Sequence, residues 1–417
     1  MTSLPILAIL AITNITIIDG TGAKPRLHQT LLVDGDRIVS IGKVRVPRGA
    51  EVIDGTGKFL VPALWDMHVH LGSYAHAREA FPRMLASGVA GVRDMGTPLD
   101  DALRIRREVR SGALEGPRVM TPGPLVQGPL PFKTPLMISV HSREEVDATV
   151  RSLRDAGVDF IKVHDALPRD LYFDVARAAS HDHIPFAGHI PPSIRASEAA
   201  QAGQHSIEHL GGRFHGVLIG CSTRESELMK KIGDVVAAAM TALDEGKEPD
   251  DSTIFRAPIT GDLVEGFDRA KANALFDEFR RKHIWQVPTL VAQPIRSRSD
   301  LTGDDRRYAD ALINLQKQVV LMMHRRGVRI LAGTDSSLDP HALHEELRLL
   351  VEAGLTPTEA LRSATRDAAE FAGVLTETGT IERGKLADVL IVDADPLLDI
   401  ANLARVNTVV LRGRRIH

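Results

Sequence analysis

Apolar and polar positions divide the chain into three textures. Over residues 10–53, short apolar runs at 10–18, 30–33, 37–41 and 51–53 are cut by Asp19-Gly20-Thr21-Gly22 and Asp34-Gly35, and Asp54-Gly55-Thr56-Gly57 closes the series. Asp-Gly supplies the positive φ that tight hairpins need, so this spacing predicts a small antiparallel sheet. The C-terminal stretch repeats the texture in Gly379-Thr380-Ile381, Gly384-Lys385-Leu386, 388–392 and 406–412. Two β-rich ends around a different middle predict one β-sandwich domain built from residues 1–59 plus 375–417.

In the middle, apolar runs at 60–70, 89–94, 118–121, 160–164, 185–189, 206–209, 285–290 and 330–335 read as buried strands. Amphipathic helical stretches separate them, at 75–87, 100–111, 143–156, 169–182, 194–202 and 304–326. This alternation over 60–374 predicts an α/β fold, a closed (β/α)8 TIM-like barrel. An open doubly wound sheet fits less well, because no Gly-x-Gly-x-x-Gly follows the first run. Residues 211–283 form an insertion in which 226–243 and 263–281 read as helices, hence a helical subdomain beside the pocket. Residues 122–137 carry five prolines and read as a loop over the barrel mouth. From it Gln127 and Phe132 could touch substrate, with plain solvent exposure as the alternative.

Barrel chemistry collects at the C-terminal strand ends. Run one ends Asp66-Met67-His68-Val69-His70, and a side-chain period of two sets His68 and His70 on one face. In Phe160-Ile161-Lys162-Val163-His164 an ammonium sits inside an apolar strand, where burying a bare charge is costly. Runs five, six and eight end Gly188-His189, Glu208-His209 and Thr334-Asp335. Each of these has an ordinary reading: a satisfied core histidine, a helix-capping aspartate, or a lysine paired with Asp159 or Asp165. Six such side chains on five strand ends of the same sense point instead to a metal site. His164 shares the face of Lys162, either to orient substrate or to support a ligand. His344, nine residues beyond Asp335, either lies on the surface or looks back into the mouth.

Composition narrows the picture. Cys221 is the only cysteine, which excludes a disulfide framework and a Cys-rich zinc site and leaves imidazole and oxygen ligands. A net charge of −3 suggests neither a nucleic acid nor an anionic membrane as partner. The apolar run at 4–12 is too short to span a bilayer. It reads as the start of the first strand in a cytoplasmic protein, with the remnant of an export signal as the alternative.

The chain resembles the amidohydrolase superfamily, in its imidazolonepropionase-like and prolidase-like branch. The resemblance rests on Ile17-Ile18-Asp19-Gly20-Thr21-Gly22, Asp66-Met67-His68-Val69-His70-Leu71, Ile161-Lys162-Val163, Gly188-His189 and Ser206-Ile207-Glu208-His209-Leu210. It continues in Leu331-Ala332-Gly333-Thr334-Asp335, His344-Glu345-Glu346-Leu347, 354–361, Gly379-Thr380-Ile381 and 384–388. It implies two divalent metal ions, usually zinc, bridged by a CO2-derived carbamate on Lys162. His68, His70 and Asp335 would share one ion with Lys162, and His189 and His209 the other, with Asp335 as catalytic base. It also implies hydrolysis of a carbon–nitrogen bond in a small molecule: an N-acyl amino acid, a dipeptide-like amide, a carbamate or a cyclic amide. Esters and lactones are the alternative substrates, and a catalytically silent homologue used for assembly is the alternative from another class. Related enzymes are often homo-oligomers. One departure bears on substrate: His189 is followed by Ile190-Pro191-Pro192, which offers a carboxylate no side-chain donor.

Overall fold

The computed structural model describes residues 9–130, 132–248, 252–293, 295, 299–336 and 338–416. Most of the 4–12 run lies outside them. The strands of the N-terminal part are β1 (Leu10–Ile17), β2 (Arg26–Asp34), β3 (Arg37–Gly42), β4 (Glu51–Asp54) and β5 (Phe59–Pro62). Those of the middle are β6 (Leu64–Val69), β7 (Val89–Asp94), β8 (Arg118–Met120), β9 (Leu125–Gln127), β10 (Met137–Ser139), β11 (Ile161–Val163), β12 (Phe186–Gly188), β13 (Ser206–Glu208) and β14 (Trp285–Val287). The last are β15 (Val389–Val392), β16 (Val406–Leu411) and β17 (Arg414–Arg415).

Both chain ends meet in one eight-stranded mixed sheet, ordered β17-β16-β15-β5-β1-β2-β3 with β4 beside β1. This is a single sheet where a sandwich was expected. Its seam is β5, which runs parallel to β1 and antiparallel to β15, so the apolar residues 59–62 serve the terminal sheet. Alternation then gives each face its own core. Val389 and Ile391 join Ile12, Ile15, Leu31 and Leu60 on one side, while Leu390 and Val392 enter the main core on the other.

The middle strands are all parallel and form two sheets, β6-β7-β8 and β10-β9-β11-β12-β13-β14. A single closed ring was expected. Residues 330–336 do lie between β14 and β6, through the isolated bridges Gln286 to Ile330 and Val69 to Ser336. They make no continuous ladder, because Asp335 turns left-handed, with φ 53°. On the far side the sheets touch through the Asp159 amide, which donates to the Thr121 carbonyl at 2.9 Å. The 122–137 segment is not simply a loop: β9 and β10 pair with each other, and Val126 of β9 pairs with Val163 of β11.

Helices flank these strands with their apolar stripes inward. Arg143–Ala156 starts where Ser142 accepts the Glu145 amide, buries Val146, Val150 and Leu153, and stops at Gly157 with φ 82°. In the insertion, the helix expected over 263–281 is two, Ala257–Glu265 and Arg269–Arg281. The second begins at Asp268, whose carboxylate accepts the Lys271 amide at 2.7 Å. Among the described residues no helix is long and apolar enough to cross a membrane.

Candidate metal centre

The parallel strands deliver their C-terminal residues to one place. His68 on β6 is fully buried, and its Nδ1 lies 2.9 Å from Oε2 of Glu208 on β13. His209, following β13, sets Nδ1 2.5 Å from the Thr289 hydroxyl. His189, following β12, sets Nδ1 2.9 Å from Asp165 Oδ2. His70 faces the Gly96 carbonyl with Nδ1, at 3.5 Å. Three of the four imidazoles are thus held through Nδ1, with His189 Nδ1 beside a carboxylate oxygen, and Nε2 of His68, His70 and His209 turns inward.

Asp335 lies among those inner nitrogens. Its Oδ1 is 3.3 Å from His68 Nε2 and 3.2 Å from His70 Nε2, and Oδ2 is 3.8 Å from His209 Nε2. The His68 ring centroid is 4.4 Å from that of His209, and His209 is 5.0 Å from His189. Burial pushes His189 and His209 well below the usual imidazole range, so both rings are neutral and carry the lone pair a metal needs. Burial alone would raise Asp335, yet the hydrogen bonds from His68 and His70 hold it below the carboxylate range.

Lys162 is buried at 1% exposure and its Nζ has no hydrogen-bond partner. Neither Asp159 nor Asp165 takes it up; Asp159 pairs with Arg106 at 2.8 Å. Burial pulls its pKa down to about 8, so the free amine, the form that reacts with CO2, is accessible near neutrality. The donor set therefore fits divalent metal: neutral imidazoles, a carboxylate, and an orphaned amine able to become an oxygen ligand. Two groups bring ligand atoms within 4.8 Å of one another, His68 with His70 and Asp335, and His164 with Asp165 and His189.

Two supporting roles were missed by sequence reasoning, those of Glu208 and Asp165. Glu208 is buried without exposure, receives the Ser206 hydroxyl and pairs with Arg93 at 2.5 Å. Burial would raise its pKa, but Arg93 and the bond from His68 hold it well below the usual range. A carboxylate directly before a strand-end histidine was the signal that could have found it. Asp165 was considered only as a lysine partner. Asp94 caps its strand end, accepting from Thr97 and Thr121 hydroxyls and the Leu71 amide.

Backbone strain gathers here too. His209, Leu210, His215, Thr289 and Asp335 all have φ between 45° and 57°, a region that costs non-glycine residues energy and clusters at functional sites. Gly212 is required as glycine: at φ 92°, a Cβ would sit 2.6 Å from Asp165 Oδ1 and 2.9 Å from His189 Cβ.

A cavity of ≈ 250 Å³ opens on the cluster, lined by His70, Lys162, His164, Asp165, His189, His209, Gly212, Arg213, His215, Ala292, Gln293 and Asp335. His164 is in it, stacked on His189 with centroids 4.4 Å apart, and its Nδ1 meets Gln127 Oε1 at 2.8 Å. Gln127 is buried and supports His164 from behind rather than lining the cavity. Phe132 is 48% exposed and outside the lining, because its segment turns outward between β9 and β10. His344 does not look into the mouth: it is buried elsewhere, with Nε2 3.0 Å from the Ser87 carbonyl. A larger cavity, ≈ 490 Å³, lies around Arg37, Trp65, Arg118 and Arg412 and contains none of the cluster.

Strand-end histidines of this kind on parallel sheets are the mark of metal-dependent hydrolases, and the chain belongs to the amidohydrolase family, whose family model matches residues 59–416. It is similar to the crystal structure of a candidate prolidase from Bifidobacterium longum, at 25% identity and a TM-score of 0.72, over 99% of this chain and 95% of that one. A Xaa-Pro dipeptidase crystallised with methionine in its active site shares the fold at 22% identity and a TM-score of 0.72, over 98% and 99% of the two chains. Imidazolonepropionase of Mesorhizobium japonicum is 38% identical over 84 residues, 19% of this chain. That match spans only 20% of the relative's length.

Proposed function

We propose that this chain is a metal-dependent hydrolase of an amide-type carbon–nitrogen bond in a small molecule, such as an N-acyl amino acid, a dipeptide-like amide, a carbamate or a cyclic amide. In this reading the two parallel sheets correspond to one (β/α)8 barrel, and the strand ends form its mouth. His68, His70 and Asp335 would hold one divalent ion, His189 and His209 a second, with a carboxylated Lys162 shared between them. Zinc suits the neutral imidazoles best. Bound there, the ions would supply Lewis acidity and bring the pKa of water down to about 7.

The rest of the chemistry falls to the chain. Water adds its oxygen to the carbonyl carbon, the carbon–nitrogen bond breaks, and the departing nitrogen needs a proton. Asp335 supplies that transfer, taking the proton from the attacking water on a carboxylate oxygen and returning it to nitrogen.

One observation carries the reading: four histidines from three strand ends each set Nδ1 beside an oxygen, three of them turn Nε2 towards Asp335, and the same cavity holds a buried amine that has no partner. The fixing of ring orientation by an outer partner is what metal-binding histidines require. The test is metal analysis of protein prepared with zinc and bicarbonate, alongside Lys162→Ala. We expect about two zinc ions per wild-type chain, a marked loss in the variant, and hydrolysis of a panel of N-acyl amino acids, carbamates and cyclic amides by wild type alone. A variant that keeps both metal and activity contradicts the assignment.

A further inference from the structure

Among the histidines that converge on this cavity, His215 stands out. It is 3% exposed, and neither ring nitrogen has a hydrogen-bond partner. A buried polar atom left unsatisfied costs about 1–3 kcal/mol, and such an atom in a cavity wall calls for an explanation. The backbone adds its own cost, since His215 is left-handed with φ 57° at the start of the helix Gly216–Gly220. Burial keeps the ring neutral, bringing its pKa down to about 4, so one nitrogen carries a hydrogen and can donate.

The same turn carries Arg213 into the lining. It is the one guanidinium among the described residues of this cavity, and its charge is permanent. Its backbone amide is tied to the Asp165 carboxylate, and its guanidinium carbon lies 5.8 Å from the Phe255 ring centroid. The loop is therefore anchored between the cluster and the inserted helices. The residues after His189 are Ile190, Pro191 and Pro192, which offer no side-chain donor.

We propose that Arg213 and His215 form a carboxylate-binding wall, so that the substrates of this site are N-acylated amino acids or dipeptide-like amides with a free carboxylate, in preference to neutral carbamates, ureas or cyclic amides. This rests on the hydrolase reading above. A charge-assisted bond from the guanidinium beside a second bond from the imidazole N–H favours an anionic oxygen pair over a neutral carbonyl.

The test compares a pool of N-acetyl-L-amino acids with the matching pool of primary amides, identical except for the charge. In wild type loaded with zinc and bicarbonate, kcat/KM for the acids should exceed that for the amides by on the order of 100-fold. Arg213→Met and His215→Phe should each shrink that ratio by about 10-fold or more, with zinc content unchanged. His215→Asn, which retains an N–H donor, should recover part of it. Equal cleavage of the two pools, or a ratio unmoved by both variants, overturns the proposal. Loss of zinc in His215→Phe does so as well, because His215 would then be a ligand. If wild type cleaves neither pool, the hydrolase reading fails separately. The wall is then judged by thermal shift of the metal-free protein: stabilisation by acids over amides, abolished in Arg213→Met, upholds it, and no difference sinks it.

Discussion

Glu208 shows how much of this site is decided by a residue outside the proposed ligand set. Its carboxylate holds His68 Nδ1 at 2.9 Å with one oxygen and meets Arg93 at 2.5 Å with the other, and all three side chains are fully buried. Glu208→Gln removes the anion and strands the Arg93 charge, which typically costs about 3–5 kcal/mol. It also loosens the orientation of His68, for which losses of roughly 10- to 100-fold in metal affinity are usual. The two effects separate in the double variant Arg93→Met/Glu208→Gln: unfolding stability should recover, while zinc affinity, read by chelator competition, should stay low. Lys162 was legible in the sequence because a cation in an apolar run has no ordinary explanation. Glu208 sits between Ser206-Ile207 and His209, a run too polar to mark it; the arginine that makes it tolerable comes from another strand, and no local pattern announces that pairing.

An element's end is set most plainly where a local signal fixes it. Thr356-Pro357-Thr358-Glu359 forms a capping box on the helix Pro357–Ser363: the Thr356 hydroxyl accepts the Glu359 amide, and Glu359 accepts the Thr356 amide at 2.8 Å. Thr356→Ala should cost about 1 kcal/mol in stability. Glu359 also faces His324 Nε2 at 2.9 Å. Burial would raise its pKa, but the Thr356 amide and His324 bring it down from 4.5 to about 2. A depressed carboxylate stabilises the fold above its unfolded pKa and loses that contribution as protons bind. Melting temperature should therefore fall as pH drops from about 4.5 towards about 2, and Glu359→Gln should flatten that slope. Elsewhere the signals conflicted. The prolines of 122–137 read as a loop, yet β9 forms there because Val126 finds a partner in β11, a non-local pairing that overrides composition. Residues 330–335 read as a strand like the rest, but the backbone gives up its ladder to hold Asp335 left-handed against two histidines.

At the scale of the whole molecule, the terminal sheet raises the question of what the two chain ends contribute. The boundary expected between residues 59 and 60 falls inside β5, and the sheet buries one of its faces in the same core as the parallel strands: Val61, Leu390, Val392, Val409 and Leu411 pack there with Val89, Phe81 and Leu85. The unbroken apolar run of β15 was readable from the sequence, but that each of its faces enters a different core was not, since it depends on what lies above and below the sheet. Leu390 tests the coupling. It is fully buried, and its Cδ1 would lie 2.4 Å from a Cβ on Gly88, so it fills the space left by that glycine between helix and β7. Leu390→Ala should cost about 2–5 kcal/mol. If the sheet and the metal-binding body are one cooperative unit, urea unfolding followed by tryptophan fluorescence and by release of bound zinc should move to lower denaturant together. Trp65 and Trp285 both pack in the cluster formed with Met67 and Leu331, beneath the histidines, so their emission reports on the parallel sheets while the lesion lies in the terminal one. A shift confined to circular dichroism, with tryptophan emission and zinc retained at the wild-type midpoint, would mean that the terminal sheet unfolds on its own.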